Sequence, residues 1–330
     1  MKNEYPLVSI IMPVYNGEKF IKASIETIFQ QTYDNIELIT IDDGSKDDSL
    51  HILQELSHTA KIQMQVVHQE NAGICKTRNK GIDLAKGEYI MFMDQDDAMY
   101  ADCVSRLVKL AKKKQADLVI GGFDLVDKKG NILESWKLNP TKSFSRYRIT
   151  APWGRLYRKE ILNQYHIRFM ITKISEDFYF NMLYMSYTDK VEVTEYQGYC
   201  WLYNEKSESH ANMSRLEEDR NPLIMLKQLH NDMNPQHNMD KDCLEYMMAK
   251  HIIWYLLYVA KSVDTKRLKE AYQQCFLWLK SQYPCVEKRV VRRLLVPAGE
   301  NGKIRLIVRG SLLLNKAGLF LPLLKLYSKL

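Results

Sequence analysis

The chain has 330 residues, of which 46% are hydrophobic and 26% charged, and a net charge of +7; that balance suits a folded protein with a sizeable core and excludes a disordered chain. No plainly apolar stretch reaches the ~20 residues that span a bilayer, and Met1 to Pro6 is polar, so no signal peptide is expected. The six cysteines form neither a C-x-x-C pair nor a zinc-ligand spacing and read as reduced thiols of a cytoplasmic protein.

From Leu7 onward, short β-rich runs alternate with longer amphipathic segments, the pattern of βα units on a mostly parallel sheet. Strands are expected at Leu7–Met12, Ile36–Ile41, Met64–His68, Tyr89–Met93 and Leu118–Ile120. Helices fit between them near Glu18–Gln31, Asp47–Ser57, Ile74–Ala85 and Tyr100–Lys114. Ser45-x-x-Asp48 has the outline of a capping box at the second helix. Phe123–Trp136, with Lys128-Lys129-Gly130-Asn131 at its middle, reads as a β-hairpin. Residues 140–212 mix helix and strand, with a helical stretch after Ser175 and a β-rich run over Lys190–Tyr203, and from about Met213 the pattern is helical. The expected division is an α/β domain over 1–212, in halves of about 1–100 and 101–212, and a helical, basic region over 213–330.

Tyr89–Met93 empties into Asp94, Asp96 and Asp97. Carboxylates at the carboxyl end of a buried strand stand where open α/β sheets bind ligands. Three acidic groups this close repel one another unless a cation sits among them, which points to a divalent metal. The first strand delivers Pro13-Val14-Tyr15-Asn16-Gly17 and the second Asp42-Asp43-Gly44-Ser45 to the same edge, because parallel strands share a direction. The first turn lacks G-x-G-x-x-G and no G-x-x-x-x-G-K-S/T occurs, which disfavours dinucleotide-binding Rossmann and P-loop folds.

Six motifs in order carry a resemblance. They are V-S-I-I-M-P-V-Y-N (Val8–Asn16), I-D-D-G-S-K-D-D-S (Ile41–Ser49), N-A-G-I-C-K-T-R-N-K-G-I (Asn71–Ile82), A-K-G-E-Y-I-M-F-M-D-Q-D-D (Ala85–Asp97), A-P-W-G-R-L-Y-R-K-E-I-L (Ala151–Leu162) and S-E-D-F-Y-F (Ser175–Phe180). Together they resemble the family 2 glycosyltransferases of GT-A fold, densely over residues 7–97, thinly to about 210 and not beyond. The resemblance implies an α/β, Rossmann-like GT-A domain with a mostly parallel central sheet, followed here by a helical C-terminal extension. It also implies an inverting transfer of a sugar from a nucleotide sugar, most commonly a UDP-sugar, to a carbohydrate or lipid-linked saccharide acceptor. Capsule, exopolysaccharide or other cell-surface glycan synthesis is the implied setting.

By position in those motifs, Asp94 and Asp96 form the family's D-x-D pair. Asp96 would reach a divalent ion on the diphosphate, and Asp94 would lie near the ribose or support the metal shell; Mn²⁺ or Mg²⁺ suits such oxygen ligands. Asp97 is open between a ligand and an N-cap for the next helix. Asp43 resembles the aspartate that binds the base, with Pro13, Val14 and Tyr15 lining the same pocket, although Asp42–Ser45 also reads simply as a turn. Arg78 and Asn79 would help hold the nucleotide or the D-x-D loop. Glu176-Asp177 matches the family's E-D pair, with Asp177 as the base that takes the acceptor proton and Glu176 orienting the acceptor; the plainer alternative is a pair of carboxylates complementing a helix dipole. Trp153 and Arg155 would face the acceptor, where a buried core tryptophan is the competing reading. His210 is a third metal ligand, a diphosphate contact, or an exposed histidine without a role.

Residues 286–330 carry ten Lys and Arg against two Glu, which exceeds the whole net charge. Val286, Val290, Leu294 and Leu295 fall on one helical face with Lys288, Arg289, Arg292 and Arg293 on the rest. Ile304, Ile307, Val308, Leu312 and Leu313 continue it, interleaved with Arg305, Arg309 and Lys316. Such segments read as lying on an anionic membrane surface, or as a helical cap on the catalytic domain with its cations in solvent. No nucleic-acid motif accompanies the charge. The reading is therefore a metal-dependent hexosyl- or N-acetylhexosaminyltransferase, cytoplasmic and peripheral on the inner face of the membrane. A catalytically silent scaffold of the same fold is the alternative from another class. A sugar nucleotidyltransferase would open with a glycine-rich basic loop that this chain lacks.

Overall fold

Val8–Val14 (β1), Ile36–Asp43 (β2), Gln63–Gln69 (β3) and Tyr89–Phe92 (β4) run parallel in the order β3-β2-β1-β4, with Val8 opposite both Ile36 and Tyr89. The structure is a computed structural model that describes residues 5–172, 174–204, 221–236, 239–292 and 297–329. Every residue of β1, β2 and β4 is buried, as in parallel sheets covered on both faces, which is why these strands read as continuous apolar runs. The crossovers are Ile21–Phe29 (α1), Ser49–Thr59 (α2) and Ile74–Leu84 (α3). At the amino end of the sheet the buried Glu37 accepts from Ser9, Lys86 N and Gly87 N, so its charge is held by donors rather than by a cation.

The chain continues through Ala98–Met99 (β5), Cys103–Lys114 (α4), Leu118–Val126 (β6) and Ile132–Trp136 (β7) to Ser145–Arg148 (α5). Arg155–Arg158 (β8), Lys159–Gln164 (α6), Glu176–Ser186 (α7) and Val191–Leu202 (β9) follow. The sheet extends as β4-β8-β6-β9-β5 with β7 on β6. β8 is antiparallel to both neighbours, so the four-strand parallel half gives way to a mixed half. The expected hairpin is β6–β7, closed where Asp127 accepts from Lys129 N and Asn131 N.

The expected capping box does not form. The second helix begins at Ser49 with Asp48 as an N-cap that makes no side-chain bond; Ser45 Oγ instead accepts from Asn16 N at 3.0 Å, and Asp47 Oδ1 accepts from Ser49 N at 3.1 Å. A loop thirty residues away has taken the capping hydroxyl.

The chain divides into two compact units, the first comprising the residues up to Pro140, Ile149–Ile171 and Glu176–Asn204. The second holds Thr141–Arg148, Thr172–Ser175 and the chain beyond Asn204, so two short pieces from within the expected α/β stretch go with the helices. Phe144 shows why: it is fully buried, meets Tyr246 edge to face at 5.5 Å, and its N–H donates to Ala298 O. The described helices of that unit's C-terminal part are Pro222–Asp232 (α8), Lys241–Val259 (α9), Thr265–Gln282 (α10), Val286–Arg292 (α11), Gly302–Lys316 (α12) and Phe320–Tyr327 (α13). Asn221, Asp240, Asp264 and Asn301 cap α8, α9, α10 and α12 through their side chains.

Candidate active site

Loops from three parallel strands are stitched together at the carboxyl edge of the sheet. Asn16 adopts a left-handed conformation (φ 50°), which lets its amide accept from Lys46 N at 2.8 Å while Gly17 N donates to Ser49 Oγ at 2.8 Å. Gln95, between the two aspartates of the D-x-D pair, closes a two-bond ring with the Tyr15 backbone: Tyr15 N donates to Oε1 at 2.9 Å and Nε2 donates to Tyr15 O at 3.1 Å. Pro13 and Val14 are buried in the end of β1, so of the three residues expected to line a base pocket, Tyr15 (42% exposed) is the one that offers a side chain.

Asp43 sits at the tip of β2 and ties it to α3. Its Oδ1 accepts from Gln69 Nε2 and Ala72 N, and its Oδ2 from Gly73 N, at 2.7, 2.8 and 2.8 Å. Burial alone would raise its pKa; those bonds outweigh burial and hold the carboxyl below the ordinary aspartate range. The Thr77 hydroxyl adds to the same lowering. Gly73 has φ 86°, and Gly44 in the adjoining turn has φ 74° with its Cβ position 2.8 Å from Asn71 N, so neither site takes an ordinary residue without strain.

Arg78, one turn into α3 and 4% exposed, bridges two of the carboxylates. Its Nη2 donates to Asp94 Oδ1 at 2.9 Å and its Nη1 to Asp177 Oδ1 at 2.7 Å, while the guanidinium lies over the Phe169 ring at 5.2 Å. Burial opposes its charge, but Asp177 and Asp94 outweigh that and keep it protonated. Asn79 fixes the same aromatic from behind, exchanging two bonds with the Phe169 backbone, and Phe169 stacks on Phe180 of α7 at 4.0 Å. The donor-side carboxylate and the expected base are thus held by one cation.

Asp177, in the first turn of α7 with 28% of its side chain exposed, is pushed up to about 7 by burial, with Glu176 and Asp94 adding to the rise and Arg78 opposing it. Asn181, four residues on, donates to Asp177 O and to the carbonyls of Thr150 and Ala151, which fixes the turn that carries it. Asp96 is also raised, by burial and then by the charge of Asp94, and no cation pairs with it among the described residues.

Asp97 is neither an N-cap nor an open ligand. Its two oxygens accept from Tyr199 Oη at 2.6 Å and Leu202 N at 2.9 Å, it is 2% exposed, and Asp102 occupies the N-cap of α4. Burial, Asp94 and Asp96 all raise its pKa. Tyr199 Oη also accepts from Asp94 N at 3.1 Å, so β9 holds the D-x-D loop.

Trp153 is 8% exposed and stacks on Tyr199 at 4.5 Å with the rings nearly parallel. Arg155 departs further from its expected place on an acceptor face. It is 1% exposed, and its guanidinium donates to the carbonyls of Ala151 and Ile149, so it braces the loop that carries Trp153. Glu176 is half-buried beside Asp177. His210 lies outside the described residues.

Among the described residues no three His, Cys, Asp or Glu side chains form a metal cluster. The residues present nevertheless fit a hard divalent cation. Among the described residues no cation pairs with Asp96, Asp94 commits its Oδ1 to Arg78, and the repulsion between the two carboxylates would be relieved by a hard cation between them.

The family model for glycosyl transferase family 2 matches residues 9–178. The glycosyltransferase GlyA of Streptococcus pneumoniae is 31% identical over 202 residues, covering 56% of this chain and 29% of that protein. A putative glycosyltransferase of Bacillus subtilis, EpsH, is 33% identical over 177 residues, covering 50% of this chain and 51% of its own. This chain therefore spans between about a third and a half of these curated relatives. Among solved structures, residues 1–349 of S. aureus TarS superpose with a TM-score of 0.71 at 16% identity, covering 98% of this chain and 90% of that one. The same protein in complex with UDP-GlcNAc gives 0.70 at 18%, with the same coverage. At these identities the likeness establishes the fold, a curled GT-A-like sheet with C-terminal helices.

Proposed function

The chain belongs to glycosyl transferase family 2, and from that premise we propose that it is an inverting glycosyltransferase that moves a sugar from a UDP-sugar to a saccharide acceptor, lipid-linked in its natural setting, during cell-surface polysaccharide synthesis. The observation that carries the reading is Arg78 bridging Asp94 and Asp177, with no cation on Asp96 among the described residues. On this reading Asp94 and Asp96 would hold a cation for the diphosphate, next to a carboxylate whose proton affinity suits a base near neutrality. The UDP-GlcNAc complex of the similarly folded TarS supports a UDP-sugar donor.

In the reaction proposed, the acceptor hydroxyl oxygen bonds to the anomeric carbon as the bond from that carbon to the diphosphate oxygen breaks, and the hydroxyl proton passes to Asp177. Glu176 orients the acceptor beside it. Asp43, held at the tip of β2, faces the base, and Tyr15, tied to Gln95, closes the nucleotide side. Asp96 and Asp94 would hold a divalent cation, Mn²⁺ or Mg²⁺, which when bound would supply positive charge against that of the diphosphate leaving group. Arg78 holds Asp94 and Asp177 together through one guanidinium.

The test is nucleotide release from a panel of UDP-, GDP- and dTDP-sugars with and without Mn²⁺ or Mg²⁺, beside Asp96→Asn. Release from a UDP-sugar that needs metal and fails in the variant supports the reading. Absence of both release and metal-dependent UDP binding sinks it in favour of a silent scaffold.

A further inference from the structure

The last two helices of the helical unit carry an inverted polarity. The inward side of α12 holds Arg309, Ser311 and Asn315 beside Val308 and Leu312, all under 8% exposed. Two of the polar groups are bonded into the unit. Arg309 Nε donates to Val290 O at 2.8 Å, Asn315 Nδ2 donates to Glu287 Oε1 at 2.8 Å, and Asn315 Oδ1 accepts from Tyr272 Oη at 2.6 Å. The outward stripe is apolar, with Leu306 72% exposed, Ile307 40% and Leu313 50%. α13 continues it: Phe320 and Leu324 point inward, while Leu323 and Leu326 are 42% and 60% exposed. A helix facing water shows the opposite pattern, and single exposed leucines need no explanation whereas a repeating row does.

Charge identifies what covers this row. From Asn301 to the C-terminus there are six Lys and Arg and no Asp or Glu. A second copy would set these cations against themselves, whereas an anionic lipid surface complements both the leucines and the lysines. Spanning is a poorer fit. α12 is 15 residues, about 22 Å at 1.5 Å per residue, short of a hydrocarbon core of ~30 Å. It meets α13 at a 119° bend, and no single described helix is long and apolar enough to cross a membrane. The bonds of Arg309 and Asn315 keep the inner side docked.

We infer that the outward face of α12 and α13 seats the protein on an anionic bilayer, with Leu306, Leu313 and Leu326 entering the acyl boundary and Lys303, Lys316 and Lys325 among the headgroups. The seating needs no donor or acceptor, so it stands or falls separately from the transferase reading. The test is sedimentation of the full chain with phosphatidylcholine vesicles, with and without phosphatidylglycerol, at low and high salt. Two triple variants accompany it: Leu306→Gln with Leu313→Gln and Leu326→Gln, and Lys303→Glu with Lys316→Glu and Lys325→Glu. Circular dichroism and urea midpoints check that both are folded. Expected are salt-sensitive binding to anionic vesicles, a loss of ~10-fold or more in the leucine variant, and a loss on the order of 100-fold in the lysine variant. Equal binding to neutral and anionic vesicles, or folded variants that bind as the parent does, overturns the inference. So does a parent chain that ignores vesicles but self-associates through these leucines, since a second copy would then be the occupant.

Discussion

At the carboxyl edge of the sheet Asp94 and Asp177 share the guanidinium of Arg78 while Asp96 and Asp97 follow Asp94 in the same loop, whereas along α12 and α13 no carboxylate occurs and leucines face outward. Two other charged sites among the described residues are settled within the chain. Glu37 is surrounded by donors, and Arg158 pairs with both Glu88 and Asp117 at 2.7 and 2.9 Å. The two exceptions are opposite in kind: one has excess negative charge and the other excess apolar surface. Each is costly in isolation and, under the two proposals made for them, would be relieved by something from outside the chain. Function shows in this protein as a local imbalance that folding leaves uncorrected, and the sign of the imbalance indicates the chemistry of what corrects it.

The sharpest way to break the electrostatic half of that comparison is Asp177→Asn. With its base removed, transfer should fall by about 1,000-fold while UDP binding changes little, measured as kcat beside a binding titration. If Asp177 is the base it acts deprotonated, so kcat/KM should rise with pH through about 7 and level off above it. Stability should run the other way. A carboxyl raised in the folded state binds its proton there but not when unfolded, so stability is full below the ordinary aspartate value and is lost as pH rises toward about 7. Urea midpoints should follow that slope in the parent and lose it in Asp177→Asn. A kcat unaffected by the substitution would leave Asp177 as a helix-terminus carboxylate.

Next in size is Arg78→Met, which leaves Asp94 and Asp177 without their shared cation. Removing one partner of a buried pair costs about 3 kcal/mol, read as a lower urea midpoint. The same change should move the acid limb of kcat/KM to higher pH, because Arg78 is the group that lowers the Asp177 pKa. Arg78→Lys should recover part of the stability but not the two-armed bridge. A large stability loss with an unmoved pH limb would make Arg78 a structural cation only.

The parallel half of the fold was legible because β1, β2 and β4 are buried on both faces and deliver turn residues and carboxylates to one edge. The placing of Asp43 and Asp94 at that edge followed, whereas Asp177 was reached only through the resemblance of its E-D pair. What stayed hidden depends on partners far along the chain. Gln95 reads as a spacer between aspartates until the Tyr15 backbone, 80 residues earlier, is laid against it. Tyr199 reaches Asp97 across 102 residues, and Phe169 meets Asn79 across 90. Arg155 reads from its motif as facing the acceptor, and nothing in that motif reveals that two carbonyls will draw it into the core. In α12, apolar residues occur on every side, so the sequence could not tell which leucines face outward; the bonds of Arg309 and Asn315 decide it. The antiparallel insertion of β8 between β4 and β6 also has no local signal, since a four-residue strand carries too little periodicity.

The smallest effect is the one that best separates geometry from charge. Gln95→Ala removes no charge from the carboxylate cluster but opens the two-bond ring that ties the end of β1 to the D-x-D loop. Both bonds are exposed to solvent, so their loss should cost stability only ~1 kcal/mol. A Tyr15 loop free to drift would bind the donor less well, so KM for the nucleotide sugar should rise several-fold while kcat with saturating donor stays near the parent value. If kcat falls instead and KM holds, Gln95 positions the D-x-D carboxylates for the chemical step rather than the loop for binding, and the imbalance at this edge is set by geometry as much as by charge.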